Sequence, residues 1–216
     1  MLVVMEVLGY QRTPMNKHES DSQPVEPDDQ ELVIQAQGGD PGAFDQLAVR
    51  YQKQLFSVIY NILLNIEDTE DVLMETLLKA YKNISRFRTD AKFYTWIYQI
   101  AYNESINSLR KRKRLPQKDE LTEMWGEDST QDQSSFKDNT LSSDPERQVN
   151  LKELEIKLNE SLATLSEDHR TVVNLFDIQG LSHSEIGFIM KCSEGTVRSR
   201  LHYAHKELQK LLRNYI

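Results

Sequence analysis

Residues 182–212 read SHSEIGFIMKCSEGTVRSRLHYAHKELQKLL, a stretch that carries two helix signals separated by a short turn. Ser182 followed three positions later by Glu185 is the pattern of a capping box, which starts a short helix. After the turn KCS, apolar side chains recur at helical spacing, at Val197, Leu201, Ala204, Leu208 and Leu211. Gly187 places a small residue where the second helix would cross the first. The spacing therefore predicts a helix-turn-helix.

The outer face of the second helix is basic and polar. Arg198 lies one turn from the helix N-terminus, where side chains reach base edges in a major groove and an arginine can bind guanine bidentately. Arg200 lies nearer the flank, a place that suits positioning of the helix. Further contacts with phosphates or bases would come from Ser199, His202, Lys206 and Lys210. A solvated charged face is the alternative, but the capped first helix, the small residue and the turn favour duplex DNA.

The acidity of the chain is confined to two segments. The 216 residues carry a net charge of −8, which by itself argues against a nucleic-acid partner. Residues 1–31 and 116–150 hold −5 and −6, whereas residues 32–115 carry +3 and residues 151–216 are neutral. The two acidic segments are polar and lack a sustained period, as flexible chain does. The two other blocks are therefore free to bind an anionic partner.

Both blocks follow helical periodicity, and no stretch alternates at strand period for long enough to predict a sheet. Asp40 with Pro41 is predicted to start a long apolar helix, and Asp68 is predicted to cap the next one. We predict an all-α fold of two small helical domains, a bundle and a helix-turn-helix, joined by a flexible acidic linker. The divisions are a disordered tail (1–28), a first domain (29–115), the linker (116–145) and a second domain (146–216).

The chain has the marks of a cytoplasmic protein. Cys192 is the only cysteine, which excludes an intrachain disulfide and a multi-cysteine zinc site and suits a reducing compartment. No apolar run approaches the roughly 20 residues that span a bilayer. The start, MLVVMEVLGY, lacks the basic leader and cleavage site of a signal peptide. Met15 is an alternative start, which would make residues 1–14 dispensable.

Residues 86–114, RFRTDAKFYTWIYQIAYNESINSLRKRKR, combine aromatic side chains with cations. One helix face, with Phe93, Trp96, Ile97 and Ile100, is expected to build a core. Tyr94, Tyr98 and Tyr102 repeat on another face, where packing is the more frequent role. The preceding FRTD falls in a predicted loop, and aromatic groups beside cations suit unstacked bases of a single strand. The basic run at 110–114 suits phosphates, with a solvated helix end as the alternative.

Enzymatic chemistry has little support in the sequence. There is no glycine-rich phosphate loop and no Ser/His/Asp arrangement with a recognisable context. His202 and His205, three apart on a helix, could share a metal, but no further ligand stands near them. We expect no catalytic residues, no metal, no cofactor and no small-molecule substrate.

Two stretches resemble bacterial extracytoplasmic-function (ECF) sigma factors of RNA polymerase. Residues 165–208, LSEDHRTVVNLFDIQGLSHSEIGFIMKCSEGTVRSRLHYAHKEL, resemble their DNA-binding fourth domain. Residues 67–114, EDTEDVLMETLLKAYKNISRFRTDAKFYTWIYQIAYNESINSLRKRKR, are similar to their second domain. The resemblance covers about residues 29–115 and 146–216. It implies a dissociable specificity subunit of RNA polymerase that recognises promoter DNA.

The resemblance implies three sets of contacts. The clamp helices of the largest core-polymerase subunit would bind Asp68, Asp71, Leu73, Glu75 and Leu77. The minus-ten promoter element would be recognised and opened by Phe87, Arg88, Thr89, Asp90, Trp96, Asn103, Arg110 and Arg112. The minus-thirty-five element would be read by Arg198, Ser199, Arg200, His202, Tyr203 and Lys206.

An anti-sigma factor is a further expected partner. Two small domains on a long flexible linker suit an inhibitor that clamps the domains together and hides both DNA faces, and stress-response genes are the expected targets. Some positions depart from the family pattern. Met74 stands where glutamine is common, Thr89 where glycine is frequent, and Tyr203 and His205 where arginines are often found. Gly187 replaces the usual alanine and is harmless on packing grounds.

Two other functions remain open at this point. A stand-alone helix-turn-helix regulator explains residues 146–216, but leaves residues 29–115 as a sensor or dimerisation domain. A nucleic-acid-processing enzyme needs paired carboxylates in a metal site, whereas the acidic residues here fall mainly in linkers and helix starts. Binding to core polymerase would exclude the first alternative, and metal-dependent cleavage would support the second.

Overall fold

The computed structural model describes residues 27–88, 91–114 and 157–213, and helices dominate all three ranges. The first block holds α1 (Asp29–Gln37), α2 (Pro41–Leu63), α3 (Ile66–Asn83), a 3-10 turn (Ile84–Arg86) and α4 (Phe93–Arg114). The second block holds helical residues 157–164, here α5, then α6 (Glu167–Val173), a π turn (Asn174–Ile178), α7 (His183–Met190) and α8 (Glu194–Leu211). The predicted all-α fold is confirmed. The predicted linker and the tail up to residue 26 lie outside the described residues.

Two helices start at the caps that the sequence predicts. Asp40 accepts a hydrogen bond from the Gly42 N–H at 2.8 Å, and Pro41 is the first residue of α2. Proline is suited to this position because the N–H that it lacks has no partner within the helix. Ser182 and Glu185 form the predicted capping box of α7, with both reciprocal hydrogen bonds present.

The start of α3 differs from the prediction. Asn65 Oδ1 accepts from the Asp68 N–H at 2.8 Å, and the helix begins at Ile66. The prediction that Asp68 caps this helix is therefore wrong by three residues. Asp68 lies in the first turn instead, where a negative charge interacts favourably with the helix dipole.

The first bundle, α1–α4, closes around the apolar stripe of α2. Its fully buried side chains include Leu47, Leu55, Ile59, Ile62 and Ile97, and burial of each contributes roughly 1.5–3 kcal/mol. Tyr98 is 2 % exposed and packs edge-on against Tyr51 at 6.4 Å between ring centroids. The packing role expected for the tyrosine stripe is thus confirmed at Tyr98.

The second bundle, α5–α8, has a smaller core built on the helix-turn-helix. Its buried side chains include Val172, Leu175, Ile186, Ile189, Val197, Leu201 and Leu208. This core places the apolar side of α8 inward, so its basic side faces outward. Among the described residues, no helix is long and apolar enough to cross a membrane.

The two bundles contact each other directly. α2 packs against α6 and the π turn, and α4 packs against α7. Arg170 of α6 is 4 % exposed and donates hydrogen bonds to the main-chain oxygens of Asn61 and Ile62. Those oxygens belong to the last turn of α2, whose carbonyls have no partner within the helix. The second bundle therefore caps a helix of the first.

Candidate nucleic-acid interface

The outer side of α8 carries polar side chains that are open to water. Ser193 caps the helix by accepting from the Thr196 N–H at 3.1 Å. Arg198 is 65 % exposed, and its pair with Glu194 at 3.2 Å is the kind of surface contact that contributes little. We name the exposed set on this side the recognition face, which consists of Arg198, Ser199, His202, Tyr203 and Lys206. All five of these side chains are exposed to water.

Arg200, by contrast, turns toward the bundle. Its guanidinium lies 2.5 Å from the Asp168 carboxylate of α6, and its side chain is only 24 % exposed. It also donates to the Cys192 sulfur at 3.8 Å. Charge-assisted hydrogen bonds of this kind fix geometry. Arg200 therefore positions α8, and its inclusion among the direct DNA contacts is not supported by the geometry.

The turn between α7 and α8 leaves no room for a side chain at Gly187. A Cβ there would lie 2.8 Å from the Cys192 carbonyl oxygen. Lys191 closes α7 in the left-handed region at φ 54°. Glycine is harmless at this position, as expected, and the close approach shows that alanine would require the turn to shift.

The two histidines of α8 do not converge. His205 Nε2 lies 2.6 Å from the Asp177 carboxylate of the π turn, whereas His202 points outward on the recognition face. Groups of three or more potential metal ligands do not occur among the described residues. His205 thus ties α8 to the π turn, in the same way as Arg200 ties it to α6.

A cluster of three aromatic rings lies at the N-terminal end of α4. Phe87, Phe93 and Trp96 lie with ring centroids 5.0–5.9 Å apart. Phe87 is 8 % exposed and packs inward, so its prediction as a surface contact is wrong, whereas Trp96 is partly exposed. Of the residues predicted to contact the minus-ten element, Thr89 and Asp90 lie outside the described residues. Of the three rings, only that of Trp96 is therefore partly exposed.

One stripe along α4 continues from this cluster. Lys92, Trp96, Gln99 and Asn103 follow each other at intervals of four, three and four residues, which places them on one helix face. Asn103 Nδ2 donates to the Gln99 main-chain oxygen at 2.6 Å, and Trp96 and Asn103 line a common groove. We name this stripe, together with Arg88, the α4 surface. It unites three of the predicted minus-ten residues.

The C-terminal turns of α4 hold the remaining two. Arg110 and Arg112 are exposed, as cations placed favourably near a helix C-terminus. Arg112 lies 3.4 Å from the Asp68 carboxylate of α3, with the two side chains 64 % and 40 % exposed. An ion pair this exposed contributes little free energy. The guanidinium groups of Arg110 and Arg112 are therefore both available to a binding partner.

The outer side of α3 differs from the predicted polymerase-binding set. Leu73 is 7 % exposed and packs inward, so its prediction as a surface contact is wrong. Leu77 is partly buried, whereas Asp71 and Glu75 are exposed as required. The apolar side chains on this outer side include Met74 and Leu78, 71 % and 50 % exposed. Spacing could have found them, because positions 71, 74, 75 and 78 share one helix face.

The helices with these surfaces match two known sequence families. Residues 47–115, from α2 through α4, match the model of Sigma-70 region 2. Residues 161–210, which include the helix-turn-helix, match the model of Sigma-70 region 4. The recognition face thus falls in region 4, and the α4 surface and the outer side of α3 fall in region 2.

Similar proteins extend these matches over most of the chain. The RNA polymerase sigma-H factor of Pseudomonas aeruginosa is 35% identical over 187 residues, which are 85% of this chain and 93% of that protein. The ECF RNA polymerase sigma-E factor of Escherichia coli K12 is 36% identical over 180 residues, 83% and 92% of the two chains. The chain belongs to the ECF sigma factors. Its role is that of the family, to direct transcription initiation.

Solved ECF sigma-factor folds agree with this assignment. The sigma factor RpoE in complex with the anti-sigma factor NepR from Bartonella quintana superposes with a TM-score of 0.59 at 25% identity, and the match covers 79% of this chain and 96% of that chain. The fold of the described residues is therefore shared with a solved sigma factor. Members of the family are transcription initiation factors.

Proposed function

We propose that this ECF sigma factor binds core RNA polymerase and reads two promoter elements, one with each region. The observation that carries the proposal is the presence, in one chain, of an exposed recognition face in region 4 and an aromatic-edged α4 surface in region 2. We assign promoter opening and polymerase binding to residues 29–115 and upstream recognition to residues 146–216, with 116–145 as the linker.

Region 4 supplies the duplex contact at the minus-thirty-five element. Arg198, near the start of α8 and exposed, has the length and the five donors to bind guanine bidentately in a major groove. Lys206, two turns further along the helix, suits a phosphate. Ser199, His202 and Tyr203 lie between them on the recognition face, so the helix lies with its long axis in the groove.

Region 2 supplies the contact with the opened minus-ten strand. An extruded base needs a ring to stack on and polar groups to hold its edge. Trp96 and the amide of Asn103 line one groove of the α4 surface, and Arg88 lines a second groove together with Trp96. Arg110 and Arg112 suit the phosphates of the adjoining duplex, and Thr89 and Asp90 are assigned to the same promoter element.

The outer side of α3 is the proposed docking site for the clamp helices of core polymerase. Met74 and Leu78 provide exposed apolar anchors, rimmed by the carboxylates of Asp71 and Glu75. Asp68 adds a third carboxylate at one end. Apolar anchors inside a charged rim are the usual anatomy of a specific protein interface.

Control by an anti-sigma factor is part of the proposal. It is supported by the architecture shared with RpoE, which was solved in complex with the anti-sigma factor NepR. The targets would be stress-response genes, and the site of action the cytoplasm, where RNA polymerase works. The protein would act as a binding subunit, with no catalytic residues, cofactor or small-molecule substrate of its own.

The direct test is run-off transcription with bacterial core polymerase on a pool of promoter-containing fragments. New start sites that depend on the protein and share upstream elements are expected. A reaction without the protein is the control. Binding of DNA without binding of core polymerase would contradict the proposal and favour the stand-alone regulator.

A further inference from the structure

The side-chain amide of Gln37, the last residue of α1, joins the first helix to the segment that leads into α4. Its Nε2 atom donates to the Ile84 main-chain oxygen at 2.9 Å and to the Phe87 main-chain oxygen at 2.8 Å. A glutamine amide has two N–H donors, so both are used. Ile84 begins the 3-10 turn and Phe87 directly follows it. One side chain of α1 therefore holds both ends of the turn.

The two oxygens that Gln37 holds lie where the chain has left α3. Carbonyl groups at the end of a helix have no partner within it and need one from elsewhere. The Ile84 oxygen also accepts from the Phe87 N–H at 3.0 Å, which closes the 3-10 turn. Gln37 is partly buried, and removal of a donor from such a place leaves acceptors without a partner, at a cost in free energy. The amide thus fixes the conformation of the turn.

Gln37 projects from a helix that is itself held at both ends. At the start of α1, Arg50 of α2 pairs with Asp29 at 2.5 Å, and the Tyr51 hydroxyl donates to the same carboxylate. At the end of α1 the chain turns sharply at Gly39, with φ 96°, a conformation that favours glycine. The amide of Gln37 is therefore presented from a fixed support.

The main chain at Phe87 matters for the α4 surface because the Phe87 ring supports Trp96. The two ring centroids lie 5.0 Å apart, and aromatic pairs at such distances favour particular relative orientations. The next residue, Arg88, lines one groove with Trp96. A shift of the Phe87 main chain would therefore move the ring that packs against Trp96 and the guanidinium group that shares its groove.

We propose that Gln37 is a positioning residue for base stacking at the minus-ten element. It holds the Phe87 main chain, so that Trp96 and Arg88 keep a fixed relative placement before a base arrives. A preorganised site binds more tightly because less ordering takes place on binding. The inference rests on the proposed function, which assigns the α4 surface to the opened strand. The recognition face belongs to region 4, so its binding to duplex DNA should not depend on Gln37.

Binding of a single-stranded minus-ten oligonucleotide tests the inference. The protein is assembled with core polymerase, and the oligonucleotide takes its sequence from the start sites found by run-off transcription. Gln37→Met keeps the length of the side chain but removes both donors. It should weaken strand binding about five-fold, the loss that corresponds to one neutral hydrogen bond. Binding of a duplex that carries only the minus-thirty-five element should stay at the wild-type level.

Gln35→Met is the matched control. Gln35 is exposed on the same helix, and the variant should bind both DNAs as the wild type does. Gln37→Glu is a second variant, with the shape of glutamine but a carboxylate facing two carbonyl oxygens. It should weaken strand binding at least as much as Gln37→Met, and Gln35→Glu controls for the added charge.

Tryptophan fluorescence of the free chain separates positioning from a loss of stability. The chain has two tryptophans, so a Trp125→Phe background leaves the emission of Trp96 alone. The emission maximum should shift in Gln37→Met, because Trp96 packs differently against Phe87, while far-UV circular dichroism shows that the chain is folded. A variant that is less stable but packs correctly would keep the wild-type spectrum.

Three results would overturn the inference. They are wild-type strand binding by both Gln37 variants, an unchanged Trp96 emission, and an equal weakening on the single strand and the duplex, which a general loss of structure would explain. A wild-type complex that starts transcription but binds no minus-ten strand would instead overturn the assignment of the α4 surface in the proposed function.

Discussion

The two proposed nucleic-acid surfaces of this sigma factor, the recognition face and the α4 surface, differ in how the chain exposes them to water. The recognition face of α8 is open, with Arg198 65 % exposed, whereas the α4 surface lies under α7. The chemistry of the two surfaces accounts for the difference. Charged side chains on a helix are well solvated, but an exposed aromatic edge is an apolar patch that gains from a cover. The charged recognition face, proposed to read a duplex, is stable in contact with water. The aromatic α4 surface, proposed to stack bases, is more stable when another part of the protein covers it.

Of the substitutions that test this difference between the two surfaces, Arg170→Ala is expected to have the largest effect. Hydrogen bonds from a charged donor to the Asn61 and Ile62 oxygens are lost, which should lower the free energy of unfolding by about 3 kcal/mol. Burial lowers the pKa of Arg170, as expected for a desolvated cation. Urea denaturation measures the loss. The α4 surface should become more accessible in the same variant, because Arg170 joins the second bundle to the first.

Arg170→Lys is the matched control. Lysine keeps the charge but has a single donor nitrogen in place of the guanidinium fork, so it should lose only part of the stability. Wild-type stability in both variants would show that the cap on α2 does not hold the regions together.

The next-largest expected effect is on promoter binding by the recognition face alone. Arg198→Ala should weaken promoter binding by about 1–3 kcal/mol and relax the base preference at one upstream position. Binding to a panel of promoter variants measures both changes. Lys210→Ala, further along the same helix, should weaken binding evenly over the panel. An unchanged base preference in Arg198→Ala would refute the bidentate contact.

Gly187→Ala tests the turn that aims the open surface. The added Cβ at 2.8 Å from the Cys192 oxygen forces the turn to shift, and overpacking of this kind outweighs the gain in helix propensity by about 1–2 kcal/mol. Thermal or urea unfolding should show the loss, together with weaker duplex binding.

Gly195→Ala provides the control for that substitution. There the nearest atom to an added Cβ is the Ser193 hydroxyl oxygen at 3.7 Å, an ordinary contact, so the variant should be as stable as wild type or slightly more stable. Equal behaviour of the two alanine variants would show that the turn at Gly187 is looser than the structure indicates.

The smallest expected effect is a pH dependence of the free energy of unfolding, which comes from the Glu185 carboxylate at the α4 surface. Burial raises the pKa of Glu185, but hydrogen bonds from Lys92, Tyr94 and Ser182 outweigh it and lower the pKa to about 2. Because the pKa is depressed in the folded state, this stabilisation is present above the ordinary value near 4.5 and is lost as the pH falls toward 2. Lys92 and Tyr94, whose pKa values are raised, stay protonated throughout that range.

Urea unfolding at pH 5 and pH 3 checks this dependence. The stability difference between wild type and Glu185→Gln should shrink at the lower pH, because the carboxylate of the unfolded wild-type chain takes up a proton between pH 5 and pH 3, whereas the lowered pKa keeps the folded one ionised. A difference that stays constant between the two pH values would show that the charge of Glu185 does not contribute.

Local patterns predicted much of the site. The capping box at Ser182, the apolar side of α8 and the outward placement of Arg198 all follow from spacing along a single helix, and the structure confirms them. Leu73 and Asp68 were misplaced for a local reason as well. Adjacent positions on a helix such as 73 and 74 point in different directions, and Asn65 is as good a cap as Asp68 and lies earlier in the chain.

The sequence by itself determined the helices, the fold class, the family and the outward direction of the basic side of α8. These depend on periodicity, caps and turns, which act over a few residues. Only the tertiary structure decided that Arg200 positions its helix, that Arg170 caps α2, and that α7 covers the α4 surface. These contacts join residues that are 32, 109 and 93 positions apart. Nothing in the sequence near Glu185 indicates that its carboxylate also pairs with Lys92. The physical reason is that a carboxylate with several acceptor sites can serve two regions at once, and which two is decided when the helices pack.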